Sequence, residues 1–147
     1  MEAERDFREL KDRHFVKKFI TSVDIERADF DGYGHLRFSK YPWYFDLARE
    51  KFIENNGLGI KDMKERNLGF FVRSGEIKHI RQLRVEGDVN ILTWFGNYEG
   101  DVFVDIFQRM ERGSQSFAVY KTRNVFVNLD TGSHVKPPDD IIKMLFG

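Results

Sequence analysis

Two acidic residues in the stretch DFDGYGHLRF (residues 29–38) are the first candidates for chemistry in this sequence. Asp29 and Asp31 stand two positions apart, with glycines close by, and they precede an aromatic run that begins at Tyr41. A carboxylate in such a place can bind a cation, hold a turn or act on a substrate. The three interpretations make different demands on the neighbouring residues.

Calcium binding is the first interpretation, because the stretch partly fits an EF-hand loop. With Asp29 in the first position, Asp31 falls third and Gly34 sixth, as such a loop requires. However, Tyr33 occupies the fifth position, and Lys40 occupies the twelfth, where a bidentate Glu belongs. An ammonium group there repels a divalent cation, so the pattern argues against calcium.

The second interpretation is structural and the third is chemical. In the structural interpretation, Asp29 and Asp31 hold the loop through bonds from their side chains to nearby N–H groups, as the aspartate of an Asp-Gly pair commonly does. Asp31 also lies on a loop that leads into a predicted helix, whose first N–H groups are free and partly positive. Such donors polarise a substrate carbonyl, and the carboxylate then either attacks that carbonyl or activates a water molecule to attack it. This combination resembles half of an acyl-transfer site.

The elements that flank this loop follow from hydrophobic periodicity. Residues 15–25 alternate with period two from Phe19 onward and favour a strand, with a helix as the competing interpretation. Residues 26–39 have no sustained period and are predicted to be a loop. A broad apolar stripe over residues 41–56, with Pro42 in the first turn and Gly57 at the stop, predicts a largely buried helix.

The second half of the chain is predicted to be mainly strands. Residues 60–66 favour a short helix, and strands are expected at 70–80, 89–98, 102–110 and 117–129, separated by EGD, NYEGD and ERGSQ, which are typical of hairpins. DTGS (130–133) predicts a tight turn, and residues 141–146 a final helix. Residues 1–13 fit either a short amphipathic helix or a charged tail. The order predicts an α+β fold with a sheet wrapped on one long helix.

Composition limits the class of protein. The 24 basic and 24 acidic residues cancel, so no overall positive field exists to attract nucleic acid or an anionic membrane. The absence of cysteine excludes disulfides and thiolate chemistry, and the charged N-terminus does not fit a signal peptide. We therefore expect a single cytoplasmic domain without a membrane partner. The 15 Phe residues fit core packing or an apolar acyl pocket, and composition does not separate the two.

The stretch also resembles the signature of hotdog-fold acyl-CoA thioesterases, the family of 4-hydroxybenzoyl-CoA thioesterase. In that family D-x-D-x-x-G-H/V leads to Y-x-x-Y/F-F-x-x-A-R on a central helix. The residues that match at the same spacing are Asp29, Asp31, Gly34, His35, Tyr41, Tyr44, Phe45, Ala48 and Arg49. The similarity continues through GFFVR (69–73), Gly87-Asp88 and the ending NLDTGSHVKPPDDI. It covers roughly residues 20–145.

The resemblance implies a fold, a site and an assembly. It implies a hotdog fold with five or six antiparallel strands, in a domain at 15–147 that follows a charged extension at 1–14. Asp31 would be the catalytic carboxylate, as nucleophile or general base, with oxyanion-binding N–H groups near Phe38. Substrate-binding residues would be Gly34, His35, Phe38 and Tyr41. No metal and no cofactor is implied, and the subunits would form a homodimer or homotetramer.

Departures from the family pattern leave a second function open. Arg37 and Phe38 stand where many members carry Asn, and Gln82 stands near a frequent Pro. A hotdog domain that binds an acyl or aryl ligand without hydrolysing it is therefore the alternative. A basic run that includes Lys78, His79 and Arg81 can meet coenzyme A phosphates, but such a run more often forms a solvated strand face.

Overall fold

The computed structural model describes residues 18–96, 98 and 100–146. Strand β1 spans Phe19–Ile25, a 3-10 turn spans Arg27–Asp29, and helix α1 spans Lys40–Asn55. They are followed by α2 (Ile60–Glu65), β2 (Leu68–His79), β3 (Gly87–Phe95), β4 (Phe103–Arg112), β5 (Gln115–Asn128), β6 (His134–Val135) and α3 (Asp139–Phe146). The predicted order of elements is confirmed over the described residues. The predicted N-terminal helix or tail, and the start of the domain at residue 15, lie outside them.

The strands form one antiparallel sheet in the order β1-β3-β4-β5-β2, and β6 pairs with β5. Strand β2 pairs with β5 and not with β3, so the prediction of a hairpin at EGD (86–88) is wrong. Residues 80–86 instead cross from one side of the sheet to the other. The crossover is held by Leu83, which is fully buried, and whose carbonyl accepts a 2.9 Å hydrogen bond from the Leu36 N–H.

Helix α1 lies against the sheet along its full apolar stripe. The buried residues of α1 are those of the predicted stripe: Tyr41, Tyr44, Phe45, Ala48, Phe52 and Ile53. The first four pack with β1, β3 and the crossover, while Phe52 and Ile53 pack with β4, β5 and Ile141 of α3. Burial of each large apolar side chain stabilises the fold by about 1.5–3 kcal/mol. The helix start is therefore held in place by packing.

A polar contact also fixes the helix against the sheet. Gln108 of β4 is fully buried, and its Nε2 donates to the Phe45 carbonyl at 2.9 Å and to Thr93 Oγ1 at 3.2 Å. Further along α1, Arg49 Nη1 donates to Asn124 Oδ1 of β5 at 3.4 Å. Because buried polar groups have strict partners, these bonds oppose sliding or rotation of the helix.

Two details differ from the sequence prediction. Strand β3 ends at Phe95 rather than at Tyr98. Just after Phe95, the Gly96 N–H donates a last hydrogen bond to the Asp105 carbonyl. The two residues of β6 were not predicted, because a two-residue strand has no measurable period. Within the described part of the chain, no helix combines the length and apolar character needed to cross a membrane.

Candidate active site

The loop between β1 and α1 is closed on itself around Asp31. Phe30 and Leu36 form an isolated antiparallel bridge, the Asp31 N–H donates to the His35 carbonyl at 2.8 Å, and the Gly34 N–H donates to the Asp31 carbonyl at 3.1 Å. Gly34 closes this turn with φ of +81°, in the left-handed region that favours glycine. The sequence DGYGH therefore forms a compact turn whose geometry fixes the backbone of Asp31.

The Asp31 carboxylate is oriented by the same turn. Its Oδ1 accepts hydrogen bonds from the N–H groups of Tyr33, at 2.9 Å, and His35, at 3.1 Å. Its Oδ2 lies 3.9 Å from Nδ1 of the His35 imidazole, and the side chain is 30% exposed. The bond from the His35 N–H, with that from Tyr33, holds the pKa of Asp31 below 3.8 despite the opposing effect of partial burial. At neutral pH the carboxylate is ionised.

Asp29 has a different environment. Its Oδ2 accepts a 2.5 Å hydrogen bond from the Tyr44 hydroxyl, and its Oδ1 lies 3.4 Å from Lys40 Nζ. The same hydroxyl accepts the Glu26 N–H at 3.1 Å. The bond from Tyr44 lowers the pKa of Asp29, while burial, together with Asp29, raises the pKa of Tyr44 to about 12. Asp29 thus ties the loop to helix α1.

The start of helix α1 offers unused backbone donors. Within the described residues, the N–H groups of Phe38 and Ser39 have no hydrogen-bond acceptor. Ser39 at the N-cap makes no side-chain cap bond, and the first turn holds no acidic residue. Free N–H groups at a helix N-terminus carry partial positive charge and stabilise an anion.

Asp31 and the helix start share one cleft of about 390 Å³. The residues that line it are Asp31, His35, Leu36, Phe38, Tyr41, His79, Ile80, Arg81 and Gln82. One wall is the loop and the first turn of α1, and the other is the end of β2 with the crossover. Tyr41 joins the two walls, because its buried hydroxyl accepts the Leu83 N–H at 3.3 Å. The cleft therefore combines a carboxylate, an aromatic surface and Phe38, a residue with an unpaired backbone N–H.

His79 stands on the wall opposite the loop. Its imidazole packs against Phe38, with ring centroids 4.5 Å apart, and edge-on against Tyr41, at 4.7 Å. Partial burial lowers the pKa of His79 below 6.5. The ring is therefore largely neutral at neutral pH.

The predicted site residues mostly come together. Asp31, His35, Phe38 and Tyr41 line the cleft, whereas Gly34 shapes the turn and does not line it. The cleft residues outside the predicted site are Leu36, His79, Ile80, Arg81 and Gln82. Leu36 belongs to the stretch at 29–38, whereas the other four lie in the basic run at 78–84. The sequence of that run does not distinguish the wall of a cleft from a solvated strand face.

The acidic and histidine side chains do not converge in the manner of a metal site. In the parts of the chain that the structure describes, no group of three His, Asp or Glu side chains could hold a metal ion. The two aspartates of the calcium interpretation are instead bound by separate sets of protein donors.

Comparison with known proteins gives one family. The sequence model of the thioesterase-like superfamily matches residues 25–145, which is most of the chain. A search of the curated proteins found no significant match.

Similar solved structures confirm the hotdog fold. DHNA-CoA thioesterase from Staphylococcus aureus is 18% identical with a TM-score of 0.70, over 81% of this chain and 80% of that one. A probable thioesterase from Bartonella henselae is 21% identical with a TM-score of 0.73, over 83% of this chain and 100% of that one. A Staphylococcus aureus protein solved in complex with CoA is 12% identical with a TM-score of 0.79, over 90% of this chain and 84% of that one.

Proposed function

The chain belongs to the thioesterase-like superfamily, and from this premise we propose that it hydrolyses an acyl-CoA or acyl-carrier thioester to a free acid and a thiol. One observation carries the proposal: the cleft is lined both by an ionised carboxylate and by Phe38, which begins a pair of residues with unpaired backbone N–H groups just before the helix. The carboxylate is Asp31, and the N–H groups are those of Phe38 and Ser39.

Asp31 would act as the nucleophile. Its Oδ1 is occupied by two backbone donors, which leaves Oδ2 for the substrate. In the first step Oδ2 attacks the thioester carbonyl carbon, the carbon–sulfur bond breaks, the thiolate leaves, and an acyl-aspartyl anhydride forms. A carboxylate with a lowered pKa is a weak base for water at neutral pH, which favours this route over general-base catalysis.

The helix start would stabilise the oxyanion. The N–H groups of Phe38 and Ser39 donate to the negative oxygen that develops on the thioester carbonyl. Removal of one such donor typically raises the barrier by about 3 kcal/mol. Because these donors are backbone groups held by the buried packing of α1, they need no reorganisation during the reaction.

Two similar structures support a CoA thioester as substrate, since one is a DHNA-CoA thioesterase and one was solved with CoA. Tyr41 and His35 would contact the acyl or pantetheine part, and Gly34 would act through the shape of the turn. The aromatic wall of Phe38, Tyr41 and His79 suits an apolar acyl group.

A homodimer, or a homotetramer built from two such dimers, is part of the proposal. Strand β2 is an edge of the sheet, and its residues 71–76 are all exposed. Phe71 and Val72 are among them, so apolar side chains accompany the unpaired backbone. Exposed edges of this kind favour pairing with a second chain. Pairing of β2 with the partner subunit's β2 would place the two clefts near the interface.

A thiol-release screen tests the activity. Acetyl-, octanoyl-, palmitoyl- and benzoyl-CoA are offered to the wild type, to Asp31→Asn, and to Asp24→Asn, which makes the same charge change at an exposed position of β1. The proposal expects turnover by the wild type and Asp24→Asn and its loss in Asp31→Asn. Binding of an acyl-CoA by the wild type without any turnover would contradict it and favour a ligand-binding domain.

A further inference from the structure

We propose that His79 is a second catalytic residue, which activates the water that hydrolyses the acyl-Asp31 intermediate. This inference rests on the proposed thioesterase function and adds to it a base on the opposite wall of the cleft. His79 is the last residue of β2, and it faces the cleft that Asp31 also lines.

The imidazole is positioned by the sheet and by two rings. His79 pairs with Ala118 of β5 in the antiparallel ladder, and the next N–H groups, of Ile80 and Arg81, both donate to the Phe117 carbonyl, at 2.8 and 3.1 Å. Contacts with Phe38 and Tyr41 then limit the rotation of the ring. A catalytic group on such a rigid element holds a constant distance from the reacting atoms.

The second histidine of the cleft is less suited to this step. His35 belongs to the same turn as Asp31, and its Nδ1 lies 3.9 Å from Oδ2, the atom that carries the acyl group in the intermediate. His35 therefore lies beside the Asp31 carboxylate, which is the leaving group when water hydrolyses the anhydride. His79 comes from the facing wall, from which water can approach the acyl carbon.

The charges around His79 are consistent with a neutral base. The titratable groups that line the cleft with it are Asp31 and His35 from the loop, Tyr41 from α1 and Arg81 from the crossover, while Ala118 of β5 is uncharged. Partial burial keeps the pKa of His79 below 6.5, so the imidazole can accept a proton at neutral pH.

Water completes the reaction by attacking the acyl-Asp31 anhydride. His79 takes a proton from water as the water oxygen bonds to the acyl carbon, and the bond between that carbon and Asp31 Oδ2 breaks. Asp31 leaves as a carboxylate, the acyl group leaves as the carboxylic acid, and the imidazolium returns its proton to solvent.

Rapid-mixing measurement of thiol release separates the two steps. The probe is the member of the acyl-CoA panel that the wild type hydrolyses fastest. For His79→Gln we expect a rapid release of about one thiol per active site, followed by turnover about 10²- to 10⁴-fold slower than in the wild type. In the wild type, kcat should fall at acidic pH as His79 becomes protonated. This fall should be absent in His79→Gln.

Controls keep the test independent of folding. His79→Phe preserves an aromatic ring against Phe38 and Tyr41, and we expect the same burst and slow turnover. His134→Gln, at an exposed histidine of β6, retains wild-type kinetics. Melting temperatures verify that all variants are folded.

The outcomes are distinct. Wild-type turnover by His79→Gln, or equal loss of the burst and of turnover in a folded variant, overturns the role of His79 while the thioesterase function stands. A wild type that releases no thiol from any member of the panel overturns both proposals.

Discussion

Asp29 and Asp31 stand two positions apart, but different donors surround their carboxylates. Asp29 is bound by the Tyr44 hydroxyl and lies near the Lys40 ammonium, whereas Asp31 is held by two backbone N–H groups that leave one oxygen free. The sequence identified Asp31 through its family position, and the structure adds a physical basis for its proposed reactivity.

The lowered pKa of Asp31 predicts the pH dependence of the first chemical step. The nucleophile is the ionised form, so kcat/KM should be flat from neutral pH downward and fall only below 3.8, the ordinary carboxyl value. The measurement is kcat/KM for thiol release across this range, with circular dichroism to verify that the protein remains folded. A fall in kcat/KM that begins above pH 3.8, in protein that is still folded, would contradict the role of Asp31 as the nucleophile.

The carboxylate itself is expected to be indispensable. Asp31→Asn should lower kcat by about 10³-fold or more, since the amide is neither a nucleophile nor a base. Steady-state thiol release measures the effect, with Asp24→Asn as the matched variant. Asp31→Asn activity within tenfold of wild type, roughly 1.4 kcal/mol in the barrier, would show that another group carries the reaction.

At the scale of elements, the loop and helix α1 act as one unit. Residues 26–39 connect a strand at the sheet edge to the buried helix, and the Asp29–Tyr44 hydrogen bond fixes the loop across that connection. The turn at Gly34 then sets the direction of Asp31. We therefore expect both contacts to affect the position of Asp31, although neither Tyr44 nor Gly34 lines the cleft.

Tyr44→Phe tests the contact between loop and helix. Tyr44 is almost fully buried, and loss of its hydroxyl leaves Asp29 and the Glu26 N–H without their partner, at a cost of about 1–3 kcal/mol in unfolding free energy. The pKa of Asp29 is lower in the folded protein than its ordinary value of 3.8. The ionised Asp29 therefore stabilises the fold above pH 3.8, and this contribution is lost as the pH falls through the pKa of Asp29 in the folded protein.

Denaturant unfolding at neutral and acidic pH therefore provides the measurement. The difference between wild type and Tyr44→Phe should shrink as the pH falls below 3.8. A difference that is independent of pH would show that Asp29 does not contribute through Tyr44.

Gly34→Ala tests the turn, with a matched control in the same loop. Gly34 has φ of +81°, which costs an alanine about 1–2 kcal/mol, whereas Gly32 lies in open space without a positive φ. We expect Gly34→Ala to lower kcat roughly 10- to 100-fold by misplacing Asp31, and Gly32→Ala to change it little. Equal kcat in the two variants would contradict the role of the turn.

Predictability also differs among the elements. The apolar stripe of α1 appears in the sequence with its buried residues, because helical periodicity is a local signal. The EGD motif wrongly predicts a hairpin in place of the crossover at 80–86, because the same residues can end a strand before either connection. The pairing of β2 with β5 is set by long-range packing, which the local sequence does not show. That error concealed His79, Ile80, Arg81 and Gln82 as cleft residues, because only the crossover brings them to Asp31.

At the scale of the whole molecule, the single sheet leaves β2 as an apolar, exposed edge beside the cleft. Phe71 is 51% and Val72 is 39% exposed. His79 lies at the end of the same strand, so whatever pairs with β2 also affects one wall of the cleft. Assembly and activity are therefore expected to depend on each other.

Val72→Lys tests the proposed dimer edge. A lysine on an edge strand opposes pairing of strands, so sedimentation velocity should show a shift from dimer or tetramer toward monomer, with a parallel loss of activity. Ile20→Lys, an equally drastic change at an exposed position of the opposite edge strand β1, should leave the assembly unchanged. A wild type that is monomeric at assay concentration would contradict the dimer.

Chemical trapping of the acyl-Asp31 intermediate tests nucleophilic attack by Asp31. Wild-type protein is mixed with its best acyl-CoA in the presence of hydroxylamine, which converts an acyl-aspartyl anhydride to a stable hydroxamate, and the digest is analysed by mass spectrometry. We expect either a hydroxamate on Asp31 or an acyl hydroxamate whose formation requires Asp31. Continued thioester hydrolysis with no hydroxamate of either kind would contradict nucleophilic attack by Asp31.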